Sequence, residues 1–143
     1  MRLRLACTFA VLVLSAPCAE AVELRHITVR TGTEGLDQAS FSVANRAAHP
    51  IVCIAELAHW YSAELGRAEA GAELRIPLWR DPSTGAFVAL NDKTENMPVE
   101  ALWCGLEGRA YETRAALRIE RARQGAMPAD IVCHEEGERL VCG

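Results

Sequence analysis

Apolar and polar residues alternate with a period of two in several stretches of the chain, which is typical of strands with one buried face. Turn sequences separate these stretches, notably NRAAHP at 45–50 and DPSTG at 81–85, because Asn, Asp, Pro and Gly favour tight turns. The pattern therefore predicts an all-β domain of short strands. The alternating apolar positions are Ala39, Phe41, Val43, Leu74, Ile76, Leu78, Ala115, Leu117 and Ile119.

Residues 52–65 fit two patterns. Apolar side chains recur there at helical spacing, yet from Ile51 to Leu57 they also alternate as in a strand. Pro50 and the β-branched residues after it favour a strand through Leu57, and a helix remains the alternative. We also predict a first strand over 22–30.

Two further elements are predicted in the second half of the chain. Pro98 is placed to open a short helical turn that carries Leu102, Trp103 and Cys104. A long half-exposed strand is predicted from Tyr111, because apolar and charged residues alternate after it.

Short strands at hairpin spacing predict a small β-sandwich stabilised by disulfides. The order Cys53, Trp60, Cys104 is similar to the immunoglobulin fold, but Cys53 precedes Trp60 by only seven residues. Leu102 also stands where that family has a Tyr before the second Cys. We therefore predict an immunoglobulin-like architecture without membership of the family.

Residues 1–21 have the features of a secretory signal peptide. Arg2 and Arg4 precede an apolar run from residue 5 to residue 14, and Ala19-Glu20-Ala21 follows as a small-x-small cleavage site. The run is too short to span a bilayer, which takes about 20 residues. We expect cleavage after Ala21, or after Ala19, and a single periplasmic or secreted domain over 22–143.

Cleavage would leave four cysteines, and an even number in a small exported domain indicates disulfides. Cys133 and Cys142 are predicted to pair across a C-terminal hairpin at 129–143. Its two-residue turn is predicted at Gly137-Glu138, with a turn at 136–137 as the competing register. Cys53 and Cys104 are then predicted to join the two sheets.

Charge and motifs narrow the function classes. A net charge of −4 argues against binding to nucleic acid. Arginine and glutamate interleave over 109–123, which favours a solvated, salt-bridged strand face, with a basic strip for an anionic partner as the alternative. The sequence lacks G-x-S-x-G, H-E-x-x-H, P-loop, Rossmann and C-x-x-C motifs, so a familiar catalytic centre is not expected.

The adjacent aromatic residues Trp60 and Tyr61 form a candidate partner surface. In a strand they would point to opposite faces, one into the core and the other to solvent. Exposed aromatic side chains on a rigid sheet are frequent in protein-binding surfaces. The alternative is that Trp60, Trp79 and Trp103 all fill the core.

The weak metal-site candidates are Glu56, His59 and Met97. Glu56 and His59 would share one face of a helix, and Met97 or another His could complete a copper or zinc site. The alternative is that His59 lies half-buried beside its aromatic neighbours. His134 is expected at a solvated hairpin edge.

These observations favour an exported accessory or protein-binding domain without its own catalytic site or cofactor. Its expected partner is another exported protein, and neither nucleic acid nor a membrane span is expected. The alternatives are a small periplasmic metal-binding protein, for copper or zinc, and a hydrolase whose site is built from loops.

Overall fold

The computed structural model describes residues 28–58, 60–118 and 130–143. The regular secondary structure within these ranges consists of β-strands alone. The all-β prediction is thereby confirmed for these ranges. Segment 1–21 and most of the predicted strand 22–30 lie outside them, and residues 28–30 are not in a strand. The strands are β1 (Asp37–Gln38), β2 (Phe41–Asn45), β3 (Ile51–Leu57), β4 (Tyr61–Ala68), β5 (Glu73–Ile76), β6 (Trp79–Arg80), β7 (Phe87–Leu90), β8 (Asn96–Leu106), β9 (Ala115–Leu117), β10 (Ile131–Glu136) and β11 (Arg139–Cys142).

The strands form two sheets. The larger sheet has the order β1-β6-β7-β8-β3-β4, and β9 also pairs with β8. The smaller sheet has the order β11-β10-β2-β5, with β10 and β2 parallel. β8 is long enough for β7 to pair with residues 96–98 while β9 pairs with residues 102–104. One buried apolar cluster contains residues of both sheets, which confirms the predicted sandwich.

The strand interpretation of the ambiguous segment is confirmed by burial. In β3, the side chains of Ile51, Cys53, Ala55 and Leu57 are buried, and the residues between them are half-buried. β4 begins at Tyr61, so the helical alternative for 52–65 is wrong. Antiparallel pairing with β4 and β8 satisfies the backbone of β3 on both edges.

The Cys53–Cys104 disulfide forms as predicted, but it does not join the two sheets. Cys53 and Cys104 lie directly opposite each other in neighbouring strands of the larger sheet, with Cα atoms 4.0 Å apart. Opposite residues of an antiparallel pair point to the same face, so their side chains can meet there. We call this bond the β3–β8 disulfide.

The C-terminal hairpin has the predicted register. Cys133 pairs with Cys142 and Glu136 with Arg139, which leaves a two-residue turn at 137–138. Gly137 has a φ of 63°, as the first position of a type II′ turn requires. The Cys133–Cys142 bond, called the hairpin disulfide below, has a Cα–Cα distance of 4.1 Å, close to the spacing expected for a pair without ladder hydrogen bonds.

The predicted helical turn after Pro98 is wrong, because residues 96–106 form β8. This segment pairs with three other strands, and those long-range hydrogen bonds outweigh its local preference. Pro98 lacks an N–H donor, but the carbonyl of Pro98 accepts a hydrogen bond from Ala58 N–H at 2.9 Å, just beyond the end of β3. The N–H that Pro98 lacks would therefore lie where the hydrogen-bond ladder between β3 and β8 ends, so no bond inside the ladder is lost.

A buried asparagine anchors the turn after β2. The Asn45 side chain is fully buried, and its amide group donates to the carbonyls of His49, Ala68 and Glu69 at 3.0–3.1 Å. Its Oδ1 accepts the N–H of Ala47 at 2.9 Å. The side chain thus satisfies backbone groups from two separate segments.

Candidate functional site

Trp103 lies on the outer face of the larger sheet. Its neighbours Leu102 and Cys104 belong to the buried cluster between the sheets, so alternation along β8 directs Trp103 away from it. Its partner across the ladder is Ile54 of β3, which is half-buried on the same outer face. Trp103 is nevertheless only 5% exposed, so other residues must cover it.

The covering segment is residues 107–113, which fold back over the end of β8. Gly105, two residues from Trp103 and on the same face, shows how closely this segment approaches. A Cβ atom built on Gly105 would lie 2.1 Å from the carbonyl oxygen of Ala110. Only glycine allows the two backbones to pack at this distance.

Hydrogen bonds hold the covering segment in place. The buried hydroxyl of Thr113 accepts the Leu106 N–H at 2.9 Å and donates to the Arg109 carbonyl at 2.8 Å. Within the described residues, the strand predicted from Tyr111 is therefore limited to β9, at 115–117, and Tyr111 lies in a turn. The continuation of this predicted strand past residue 118 lies outside the described ranges. The sequence prediction is wrong for residues 111–114 because the side chain of Thr113 replaces ladder bonds with local ones.

Trp103 makes two contacts that fix the wall of the site. Its indole N–H donates to Glu56 Oε1 at 3.2 Å, so the buried donor is paired. The Tyr111 ring meets the indole edge to face, with centroids 5.6 Å apart and planes at 84°. Glu56 and Tyr111 are thereby oriented by the same tryptophan.

A bulge in β8 turns Glu100 outward. Glu56 pairs with Ala101, but the next pair in the ladder is Leu57 with Val99, which leaves Glu100 without an opposite residue. In an unbroken ladder, Glu100 would face the buried Leu57. The extra residue instead places Val99 in the core and leaves Glu100 exposed.

Trp60 and Tyr61 lie at the tip of the β3–β4 hairpin. Trp60 has a φ of 67° and is 102% exposed, while Tyr61 is 64% exposed. A left-handed backbone is unusual for a bulky residue and costs about 1–2 kcal/mol. The expectation that one of the two fills the core is wrong, because Trp60 belongs to the turn and not to a strand.

These features enclose an open groove of about 450 Å³, within the range of small-ligand sites. We call it the aromatic groove. Among the described residues, its lining contains four aromatic rings and two carboxylates, and neither Lys nor Arg. The lining residues are Ile54, Glu56, Leu57, Trp60, Tyr61, Ser62, Glu100, Trp103 and Tyr111.

Sequence reasoning selected Trp60 and Tyr61, and the structure places both in the groove. It did not select Trp103, Tyr111 or Glu100 as site residues. Trp103 reaches the outer face by alternation along β8, a segment for which the sequence predicts a helical turn. The covering segment positions Tyr111, and the bulge in β8 turns Glu100 outward. Gly105, next to Cys104 within a strand, was the signal available in the sequence. The alternative that all three tryptophans fill the core is wrong, because Trp60 is exposed and Trp103 lies on the outer face.

The structure separates the metal-site candidates. Glu56 lies in the aromatic groove, whereas Met97 packs against the buried cluster. The helix that would align Glu56 with His59 does not form, and His59 lies outside the described residues. Within the described ranges, no three His, Cys, Asp or Glu side chains are grouped as metal ligands.

Hydrogen bonds lower the pKa of two carboxylates that lie outside the groove. Hydrogen bonds from the Ala48 N–H and the His49 ring lower the pKa of Glu135, which links β10 to the turn after β2. Hydrogen bonds from the side chain and backbone of Ser83 lower the pKa of Asp81 in the 81–85 turn. His134 pairs with Glu136 at the exposed edge of the hairpin.

Comparisons with known proteins give no relative from which a function could be inferred. No protein-family model, curated protein or solved structure matches the chain significantly. No helix capable of crossing a membrane occurs in the part of the chain that the structure describes. The two disulfides are typical of proteins in an oxidising compartment.

Proposed function

We propose that the protein is an exported, non-catalytic accessory domain that binds another exported protein through the aromatic groove. The observation that carries the proposal concerns exposure. The three most exposed large apolar side chains in the described ranges, Trp60, Tyr61 and Tyr111, all line this groove. Clustered apolar exposure of this kind is typical of a binding surface.

The construction of the groove supports binding without large rearrangement. Thr113 fixes the turn that carries Tyr111, and Trp103 orients Tyr111 and Glu56 from beneath. Aromatic side chains on a pre-organised frame lose little conformational entropy when a partner covers them. Tryptophan and tyrosine are accordingly frequent among the residues that dominate interface energies.

Export is supported by two independent features, the signal-like segment at 1–21 and the pair of disulfides. Mass spectrometry of the exported protein is expected to show a chain that starts at Val22, or at Glu20 if cleavage follows Ala19. A chain that retains Met1 would contradict export by this route.

Site-specific photo-crosslinking in cells that export the protein tests the docking surface. A photoreactive phenylalanine replaces Tyr61 in the groove and, as a control, exposed Glu73 in β5 of the smaller sheet. We expect a discrete protein adduct from position 61, absent from position 73. Adding Trp60→Ala should abolish the adduct.

Two results would contradict docking at the groove. One is the same set of adducts from positions 61 and 73, which would indicate random encounters. The other is an adduct at position 61 that persists in full with Trp60→Ala. Thermal unfolding of each variant checks that the fold is intact, and no loss of stability is expected because Trp60 is fully exposed.

A further inference from the structure

We propose that the aromatic groove recognises an arginine side chain presented by the partner protein. The inference rests on the proposed function and adds the chemistry of the bound group. It follows from three properties of the groove: the charge of its lining, the exposure of its rings and a guanidinium that the chain itself places beside one of them.

The described residues of the lining carry charge of one sign. Glu56 and Glu100 contribute two carboxylates, and the nine lining residues that the structure describes include neither Lys nor Arg. Glu56 uses one oxygen to accept the Trp103 N–H, and a carboxylate can accept several further hydrogen bonds. The five N–H donors of a guanidinium match this requirement, and apolar walls strengthen the attraction.

The rings supply the second half of the recognition. A guanidinium binds over the face of tryptophan or tyrosine through the ring quadrupole, and tryptophan is the strongest of the aromatic residues in this interaction. Trp60 is fully exposed, and Tyr61 stands beside it at the hairpin tip. A flat, weakly hydrated guanidinium stacks on such faces more readily than the ammonium of lysine.

Arg114 provides an internal example of this contact. Its guanidinium carbon lies 5.0 Å from the centroid of the Tyr111 ring. Arg114 lines a neighbouring depression of about 340 Å³, which shares Glu56 and Trp103 with the aromatic groove. The chain therefore already places one guanidinium against a ring of this cluster.

The test uses short peptides that differ in charge alone. One probe is acetyl-Gly-Arg-Gly-amide, and its control replaces arginine by citrulline, which has nearly the same shape without the charge. The readout is the indole N–H resonances of the three tryptophans in the disulfide-bonded protein. Trp79 lies in β6, does not line the groove and serves as the internal reference.

We expect the arginine peptide to shift the indole resonances of Trp60 and Trp103 while that of Trp79 stays in place. The citrulline peptide should bind about tenfold more weakly, as expected when a cation–π contact and a charge pair are lost together. Added salt should weaken the arginine peptide alone. Equal affinity for the two peptides would overturn the inference.

Paired variants test whether binding of the arginine peptide depends on the carboxylate in the groove. Glu100→Gln should weaken the arginine peptide severalfold and leave the citrulline peptide unchanged, because it removes charge at constant shape. Glu73→Gln makes the same charge change on the other sheet and should have no effect. Tyr61→Phe retains the ring and should keep most of the affinity. Equal losses in Glu100→Gln and Glu73→Gln would attribute the binding to overall charge and overturn the inference.

The outcomes also separate this inference from the proposed function. A crosslink at position 61 that depends on Trp60, together with no response to the arginine peptide, would retain docking and overturn arginine recognition. An arginine-selective response without that crosslink would overturn docking to a partner protein. A lack of both would overturn both.

Discussion

Replacing Gly105 by alanine should disturb the aromatic groove from beneath. The added Cβ would lie 2.1, 2.6 and 2.7 Å from the O, Cα and C atoms of Ala110, whereas ordinary contact begins at 3.4 Å. All three atoms belong to the backbone, so no side-chain rotation can relieve the overlap. Either β8 or the covering segment has to move by more than about 1 Å, because backbone atoms cannot overlap.

The magnitude follows from what this movement disrupts. Overpacking of a close-packed site costs about 1–3 kcal/mol, and a weakened Thr113 hydrogen bond adds about 1 kcal/mol. We therefore expect Gly105→Ala to reduce the free energy of unfolding by about 2–4 kcal/mol and the Tm by roughly 10 °C. Displacement of Tyr111 from Trp103 should also weaken binding at the groove.

Thermal unfolding and near-UV circular dichroism measure the two effects separately. Gly137→Ala is the matched control, because its Cβ would meet nothing within 4 Å and the cost comes from the backbone φ of 63° alone. That cost is about 1–2 kcal/mol and should leave the tryptophan signals unchanged. A Gly105→Ala protein with unchanged stability and an unchanged near-UV spectrum would refute the close approach of the covering segment.

The remaining predictions concern the frame of the fold. Replacing both cysteines of the β3–β8 disulfide by alanine should cost about 4 kcal/mol, because their sequence separation is 51. The same replacement in the hairpin disulfide, with a separation of 9, should cost only about 2.6 kcal/mol. Chemical denaturation measures both losses, and a larger effect of the hairpin disulfide would contradict the loop-entropy reasoning. Asn45→Asp should reduce the free energy of unfolding by about 3 kcal/mol or more at neutral pH, because a carboxylate cannot donate to the three carbonyls around it. Chemical denaturation measures this loss, and unchanged stability would show that the Asn45 side chain does not anchor the turn. Because the pKa of Glu135 is lowered in the folded state, its contribution to stability is present above the unfolded-state pKa and is lost as the pH falls through the folded-state pKa. Glu135→Gln should therefore reduce the fall in Tm that acidification below about pH 5 causes. Parallel profiles of Tm against pH for the two proteins would contradict this.

The part of the fold that short-range rules determine was predictable from the sequence. Gly137 as the first residue of a two-residue turn sets the hairpin register, and that register brings Cys133 opposite Cys142. The alternation in β3 likewise follows from the side-chain period of a strand. In these cases the residues that determine the structure lie within about ten positions of one another.

In β8, pairing with strands distant in the sequence overrides the local sequence pattern. Its residues have the local features of a helical start at Pro98, but hydrogen bonds to β3, β7 and β9 determine their conformation. The location of the β3–β8 disulfide could not be predicted for the same reason, because the sequence does not reveal which strands are neighbours. Alternation alone predicts a strand from Tyr111, because it cannot detect a turn held by a threonine side chain.

The aromatic groove depends on departures from regular strand geometry. Trp60 adopts a left-handed conformation in the hairpin turn, Glu100 is turned outward by a bulge, and Gly105 admits the covering turn. Each departure has a local cost in free energy, and each contributes directly to the groove or to the position of Tyr111. Stability alone does not require a fully exposed tryptophan in a strained turn or a carboxylate beside aromatic rings. Because costs of this kind concentrate at binding sites, their convergence on one face favours a function for the groove over a purely structural role.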